Sequence, residues 1–280
     1  MNVGFVFTNF NNSNYTRDVV VSICKSFSGA NVRIVIVDNA SCHAEVCRLQ
    51  NIAQEFPCVK MIYNDKNVGY FRGLNLGIAY LRMDSVPLNY IVIGNNDLLF
   101  PNNFVDQLDK HKSLFEVYPV VSPNIVTLEG VHQNPHVISR ISTFREIIYD
   151  FYYSSYVCSV LISLVARITR RFTDRRDEEQ HDISQVIHQG YGACYILGPL
   201  FFEYFNELWS PTFLMGEEFF LSLQLKERGL HLFYESDIIV KHHDHATMGK
   251  LPSRKLWRIS RESHKEYRKY VKVTKMKFFI

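Results

Sequence analysis

The sequence predicts an α/β protein in which a mostly parallel central sheet is flanked by helices. Two observations carry this. Short apolar runs alternate with stretches whose apolar residues recur at helical spacing through the first hundred residues, the pattern of strands joined by right-handed helical crossovers. The runs are also continuous in apolar residues, as strands covered on both faces should be.

Taken in order, "VGFVFTNF" reads as the first strand, and Tyr15, Val19, Val20, Ile23 and Phe27 give a helix over 15–27. "VRIVIVD" is a second strand, followed by a helical stretch through Cys47, Leu49 and Ile52. "VKMIYN", a helix around 73–83 and "YIVIGNND" complete the alternation. Ligands of such sheets sit beyond the carboxyl ends of the strands. That places Asp38, Asn64 to Asn67 and Asn95 to Asp97 along one rim. After a break the pattern resumes at Gly190 with "GYGACYILGPLFFEYF", then a helix opened by Glu217 and Glu218 and closed at Gly229, then the strand "LHLFYESDIIVKHHDH". Glycine suits a helix C-terminus, and carboxylates in a first turn favour the helix dipole.

The segment 130–187 departs from this rhythm and reads as a helical insertion. Ile147 to Ala166 is apolar and aromatic with one acid, then runs into Arg167, Arg170, Arg171, Arg175 and Arg176. It is too polar for a bilayer span. It suits a helix lying in the membrane interface with its arginines among headgroups. It can equally pack on the body or on a second subunit, which admits a homodimer. The last segment, 250–280, is a basic helical tail: eleven Lys and Arg stand against two acids, a net of +9 within a total of +3, so the preceding 249 residues carry −6. Such a tail calls for a partner surface. Nucleic acid is disfavoured as that partner because the body is acidic. The 280 residues, 47% apolar and 21% charged, suit one large domain with an appendage. Six cysteines without regular spacing suit a reducing compartment, and the N-terminus shows no signal-peptide pattern.

Chemistry concentrates in five places: Asp38 in "VIVDNAS"; "NVGYFRGLNLG" with Asn67, Gly69, Gly73 and Asn75; "GNND" ending in Asp97; the Glu217–Glu218 pair; and "VKHHDH". Each alone has a structural explanation as a cap, a turn or a packing glycine. Their order together resembles the inverting nucleotide-sugar glycosyltransferases of family 2, including rhamnosyltransferase-like members that act on surface polysaccharides. The resemblance covers residues 3–105 and 190–247.

It implies the GT-A fold for residues 1–249, with a nucleotide-sugar half at 1–129 and an acceptor and catalytic half at 188–249. It implies that "FTNFN" places Thr8, Phe10 and Asn11 at the donor, that Asp38 binds base or ribose, and that Asn67, Gly69, Gly73 and Asn75 form a nucleotide-binding segment. Asn95, Asn96 and Asp97 occupy the place of the family's Asp-x-Asp. Asp97 would then hold Mn2+ or Mg2+ against the donor pyrophosphate, with Asn95 and Asn96 on ribose or sugar hydroxyls. A late His, either His242 or its neighbours His243 and His245, would bind the same ion. His242 and His243 are adjacent on a strand, so only one of the two can face the cleft. Glu218 is expected as the base that deprotonates the acceptor, with Glu217 on the acceptor or supporting the helix. This chain departs from the family at Asn95, where the first Asp is missing, and in having Glu-Glu for Glu-Asp.

The expected activity is inverting transfer of a sugar from a UDP- or dTDP-sugar to a hydroxyl of a glycan, lipid-linked, in O-antigen or capsule synthesis at the inner face of the cell membrane. A sugar-phosphate nucleotidyltransferase is a competing reading, but "FTNFNNSNYTR" lacks the Gly-rich loop that holds a triphosphate. A non-catalytic glycan- or nucleotide-sugar-binding protein is another, suggested by Asn95.

Overall fold

A computed structural model describes residues 1–27, 31–84, 86–173, 176–243 and 253–272. The chain alternates as the apolar runs predict: β1 (Asn2–Asn9), α1 (Ser13–Ser26), β2 (Asn31–Asp38), α2 (His43–Glu55), β3 (Val59–Tyr63), α3 (Tyr70–Arg82) and β4 (Tyr90–Asn95). There follow β5 (Leu98–Leu99), α4 (Phe104–Lys110), α5 (Leu114–Val117), β6 (Val120–Thr127), α6 (Thr143–Ser154) and α7 (Tyr156–Thr173). Then come β7 (Gln185–Ile187), β8 (Cys194–Leu197), α8 (Pro199–Tyr204), α9 (Glu217–Lys226), β9 (Leu232–His242) and α10 (Arg254–Tyr267).

The sheet runs β3-β2-β1-β4-β8-β6-β9-β5, with β7 also on β9. β1 to β4 pair in parallel, as do β6 and β9. β8 runs antiparallel between β4 and β6, so the mostly parallel sheet is mixed. The carboxyl ends of β1, β2, β4, β6 and β9 share one rim, because β4 and β6, each antiparallel to β8, are parallel to one another.

Alternate side chains of each strand feed two cores, which explains the continuous apolar runs. Phe5, Phe7, Ile34, Ile36 and Val92 join Val19, Ile23 and Leu49 of α1 and α2 on one face. Val6, Val35, Val37, Ile91 and Ile93 join Phe71, Leu74, Ile78, Leu221 and Leu225 of α3 and α9 on the other.

The 130–187 insertion is helical in its middle and anchored to the sheet at both ends. His132 bridges Val126, Val137 bridges Gln189, and β7 pairs with β9. The basic tail begins with α10, which folds back on α6. Arg268 pairs with Glu146 at 2.7 Å and with Asp150 at 2.6 Å, and the Trp257 indole donates to the Tyr152 carbonyl at 3.2 Å. Among the described residues, no helix is long and apolar enough to cross a membrane. His245, residues 273–280 and the side chains of Arg170, Arg171 and Arg175 lie outside the described residues.

Candidate active site

The rim at β1 and β2 is organised by buried polar groups. Asp38 accepts from Asn9 Nδ2 at 2.8 Å, from Ser41 Oγ at 2.5 Å and from the Ser41 N–H at 3.0 Å. Asp38, the sequence candidate for base or ribose, therefore already joins the two loops that follow β1 and β2. Asn11 has φ 56° and its side-chain oxygen accepts from the Cys42 N–H at 2.8 Å, locking the same two loops. Phe10 is half exposed at the loop tip and offers a stacking face. Tyr63 pairs in register with Asp38, and its phenol is pushed up first by burial and then by the Asp38 charge. Sequence reading missed Tyr63, and only strand register could have placed it.

Several polar residues of the sequence candidate set are hydrogen-bonded within the protein. Asn96 is buried, and its amide donates to Asn12 Oδ1 at 2.9 Å and to Thr16 Oγ1 at 2.7 Å. It fixes the tip of β4 to the start of α1. Both ends of the Asn75 amide bind the Leu208 backbone, at 2.8 and 2.9 Å, so Asn75 clasps α3 to the loop that follows α8. Asn67 Oδ1 accepts from the Gly69 N–H at 2.9 Å, closing the turn into α3. Gly69, at φ 94°, is the N-cap of α3, and a Cβ there would overlap the Phe213 carbonyl. Gly73 faces Thr8, whose methyl lies 2.8 Å from where a Cβ would stand. Both glycines thus let backbone pack closely against other parts of the protein. Asn95 remains at the rim, half-buried, with its N–H donating to Ala193 O at 2.9 Å.

Asp97 and His242 meet. β5 begins one residue after Asp97 and zips antiparallel onto the end of β9, with Leu98 opposite His242. The His243 N–H donates to the Asp97 carbonyl at 2.9 Å, so backbone pairing fixes the approach. His242 Nε2 lies 3.1 Å from Asp97 Oδ1, and its Nδ1 lies 2.7 Å from Gln133 Oε1. His242 therefore bridges Asp97 and Gln133 through its two ring nitrogens. His243 turns the other way, onto the Tyr15 ring at 5.5 Å. Strand parity thus selects His242. Gln133 carries no signal in the sequence, because it lies outside every motif and reaches His242 from 109 residues away.

Glu217 and Glu218 begin α9 beyond Met215 and Gly216, both at positive φ. Glu218 is half-buried and lies over Gly192, where a Cβ would collide with its carboxylate. Glu217 is 5% exposed, and its Oε1 has no hydrogen-bond partner. Burial, then the neighbouring Glu218 charge, push Glu217 up from the ordinary 4.5 to about 8. The Tyr70 hydroxyl donates to Gly192 O at 2.9 Å. Burial drives that phenol well up, and the charges of Glu217, Glu218 and Asp97 add to it. Glu218 over Gly192, the Tyr70 hydroxyl on Gly192 O and the Asn95 N–H on Ala193 O bring the start of α9, the start of α3 and the end of β4 to one turn.

A further cluster, His111, Glu235 and Asp237, has ligand atoms within 4.8 Å of one another. Lys110 Nζ sits 2.7 Å from Asp237 there and supplies the positive charge itself. The cluster is five or more residues before His242 on β9, about 16 Å along the strand.

The model of Glycosyl transferase family 2 matches residues 5–170, and the chain belongs to that family. Its fold is similar to a mannosyltransferase from Pyrobaculum calidifontis solved with GDP-Man and Mn2+, at 12% identity and TM-score 0.53, over 88% of this chain and 58% of that one. It is also similar to TarS of S. aureus, at 10% identity and TM-score 0.52, over 86% of this chain and 36% of that one. The chain thus spans little more than half, and about a third, of these two proteins. No curated protein matches the sequence.

If His242 is a ligand of Mn2+, Gln133→Leu is expected to lower affinity for the ion by about 10- to 100-fold, the usual effect of losing the group that orients a histidine ligand. Calorimetric titration of the ion, without donor, measures it.

Proposed function

We propose that the chain transfers a sugar from a nucleotide-diphospho-sugar to a hydroxyl of a glycan, with inversion. The carrying observation is the Asp97–His242 pair at the end of β4, with Glu218 and the Tyr70 hydroxyl meeting at Gly192 beside it.

The residues fit a divalent ion of the Mn2+ or Mg2+ kind. A carboxylate oxygen and an imidazole nitrogen lie 3.1 Å apart, and both are ligand types such a cation takes. Asp97 and His242 would hold it, with Gln133 fixing the histidine. Asp97 alone replaces the expected carboxylate pair, because Asn95 is neutral. When bound, the ion neutralises charge on the departing nucleoside diphosphate. A mannosyltransferase of similar fold was solved with GDP-Man and Mn2+.

The chain's own residues do the rest. Phe10 and Tyr63, both exposed at this rim, offer ring faces to the base, with Asp38 holding the loops after β1 and β2 in place. Asn95 reaches donor hydroxyls. Glu218 takes the acceptor proton, because a base must come within hydrogen-bond reach of the attacking oxygen. Glu217 is too deeply buried for that contact. It keeps its proton at neutral pH and spares Glu218 a like charge next door.

In this reading residues 1–129 hold the donor, and 188–249 supply base and histidine. The acceptor is a lipid-linked glycan of a surface polysaccharide such as O-antigen or capsule, and the protein works peripherally on the inner face of the cell membrane. A thermal-shift panel of UDP-, dTDP- and GDP-sugars, with and without Mn2+, tests the reading. One donor at 100 times its Kd stabilises the fold by about 2.7 kcal/mol. No shift with any donor would count against it.

A further inference from the structure

An exposed apolar stripe runs along α7. Val157, Leu161, Leu164 and Ile168 follow helical spacing, and all four are exposed, Val157 by 66% and Ile168 by 86%. Phe144 and Phe151, seven residues apart on α6, are exposed too, at 68% and 62%. α7 is 18 residues long, about 27 Å, and it is not apolar enough to cross a bilayer.

α10 reaches the same place from the far end of the chain. Trp257 plants its indole on the Tyr152 carbonyl and packs edge-on against Tyr156, at the junction of α6 and α7. That sets the first turns of α10 beside the start of the apolar stripe. Arg254, Lys255 and Arg258 there are exposed and have no acidic partner among the described residues. The nearby acids of α6 are spent internally: Glu146 and Asp150 are taken by Arg268, and Asp150 also by His264. The surface therefore combines exposed apolar side chains with uncompensated positive charge.

We propose that α7 and the first turns of α10 form one docking surface for an anionic lipid bilayer, with α7 lying in the plane of the interface. Its apolar stripe enters the acyl boundary while the cations meet lipid phosphates. A second copy of the chain fits less well, since a two-fold contact would set this patch against itself and bring like charges together. The proposal deepens the peripheral placement proposed above and rests on it. It does not depend on the transfer chemistry, because flotation reads binding to lipid whereas donor stabilisation reads the cleft, and either can fail alone.

The test is flotation of the full chain with vesicles of phosphatidylcholine, alone or with about 30% phosphatidylglycerol as the source of surface charge. The wild type is expected to float with the anionic vesicles and to stay behind with the neutral ones. Arg254→Glu/Lys255→Glu/Arg258→Glu should weaken partitioning by on the order of a hundredfold or more, since each near-surface cation contributes about fivefold. Leu161→Asp/Ile168→Asp should abolish it. These side chains are exposed, so an unchanged donor-free melting temperature confirms that the variants fold. The proposal is overturned if the wild type does not float with anionic vesicles, or binds both kinds equally. Undiminished flotation of either variant overturns it as well, as does loss of a dimer in sedimentation by the Asp variant while its flotation persists.

Discussion

Glu218→Gln should reduce sugar transfer by roughly 10²- to 10⁴-fold, the usual contribution of a positioned general base, while metal-dependent donor binding persists. The amide keeps the shape over Gly192 but cannot accept the acceptor proton. Asp97→Ala should differ in kind. It removes the carboxylate that faces His242 Nε2 at 3.1 Å, so both transfer and metal-dependent donor binding fall. Steady-state rates with a donor found by thermal shift, paired with donor titration, separate the two. Wild-type rates in both variants would overturn the assignments of base and metal ligand together.

Glu217→Gln should stabilise the fold, and increasingly so as pH rises. The folded carboxyl titrates at about 8, well above its ordinary 4.5, because it is buried and sits next to Glu218. Between these values the folded state holds a proton that the unfolded state has released. Stability therefore falls as pH rises through that window, by at most about 1.4 kcal/mol per pH unit. Below the window the two states are protonated alike and the effect vanishes. Above about 8 it levels off. Glutamine has no such titration, so the stability difference between variant and wild type should grow from near zero at pH 4.5 to a few kcal/mol at pH 8. Several degrees in Tm is the expected scale. Denaturant melts at pH 4.5, 6 and 8 measure it, and a flat difference would show that Glu217 is ionised throughout. The orphaned Oε1 makes the same point from geometry, since an ionised, unpartnered oxygen at that depth is costly.

Much of this architecture is legible in the sequence because it follows from periodicity. Continuous apolar strands, helical spacing from Tyr15 to Phe27 and an Asp at a strand end need only local information. Strand parity reduces the choice between His242 and His243 to one of two faces, and β5–β9 pairing then selects. Amides are harder. Asn67, Asn75 and Asn96 have the chemistry that a nucleotide would need, yet the same donors and acceptors satisfy Gly69, Leu208 and Asn12. Residue type cannot distinguish the two uses, because a buried backbone group and a ligand hydroxyl ask for the same bonds. Gln133 and the α10–α6 ion pairs are illegible for another reason. Their partners are more than a hundred residues away, and only the packed fold brings them within 3 Å. The antiparallel β8 is likewise set by pairing with two neighbours and not by its own pattern.

The claim at the centre is that Asp97 and His242 hold the cation through which a nucleotide sugar is bound. Calorimetric titration of the stabilising donor into the wild type and Asp97→Ala, each with Mn2+ and with chelator, tests it most directly. Donor binding that requires Mn2+ in the wild type and is lost in Asp97→Ala is the predicted result. Equal donor affinity in all four titrations would contradict it.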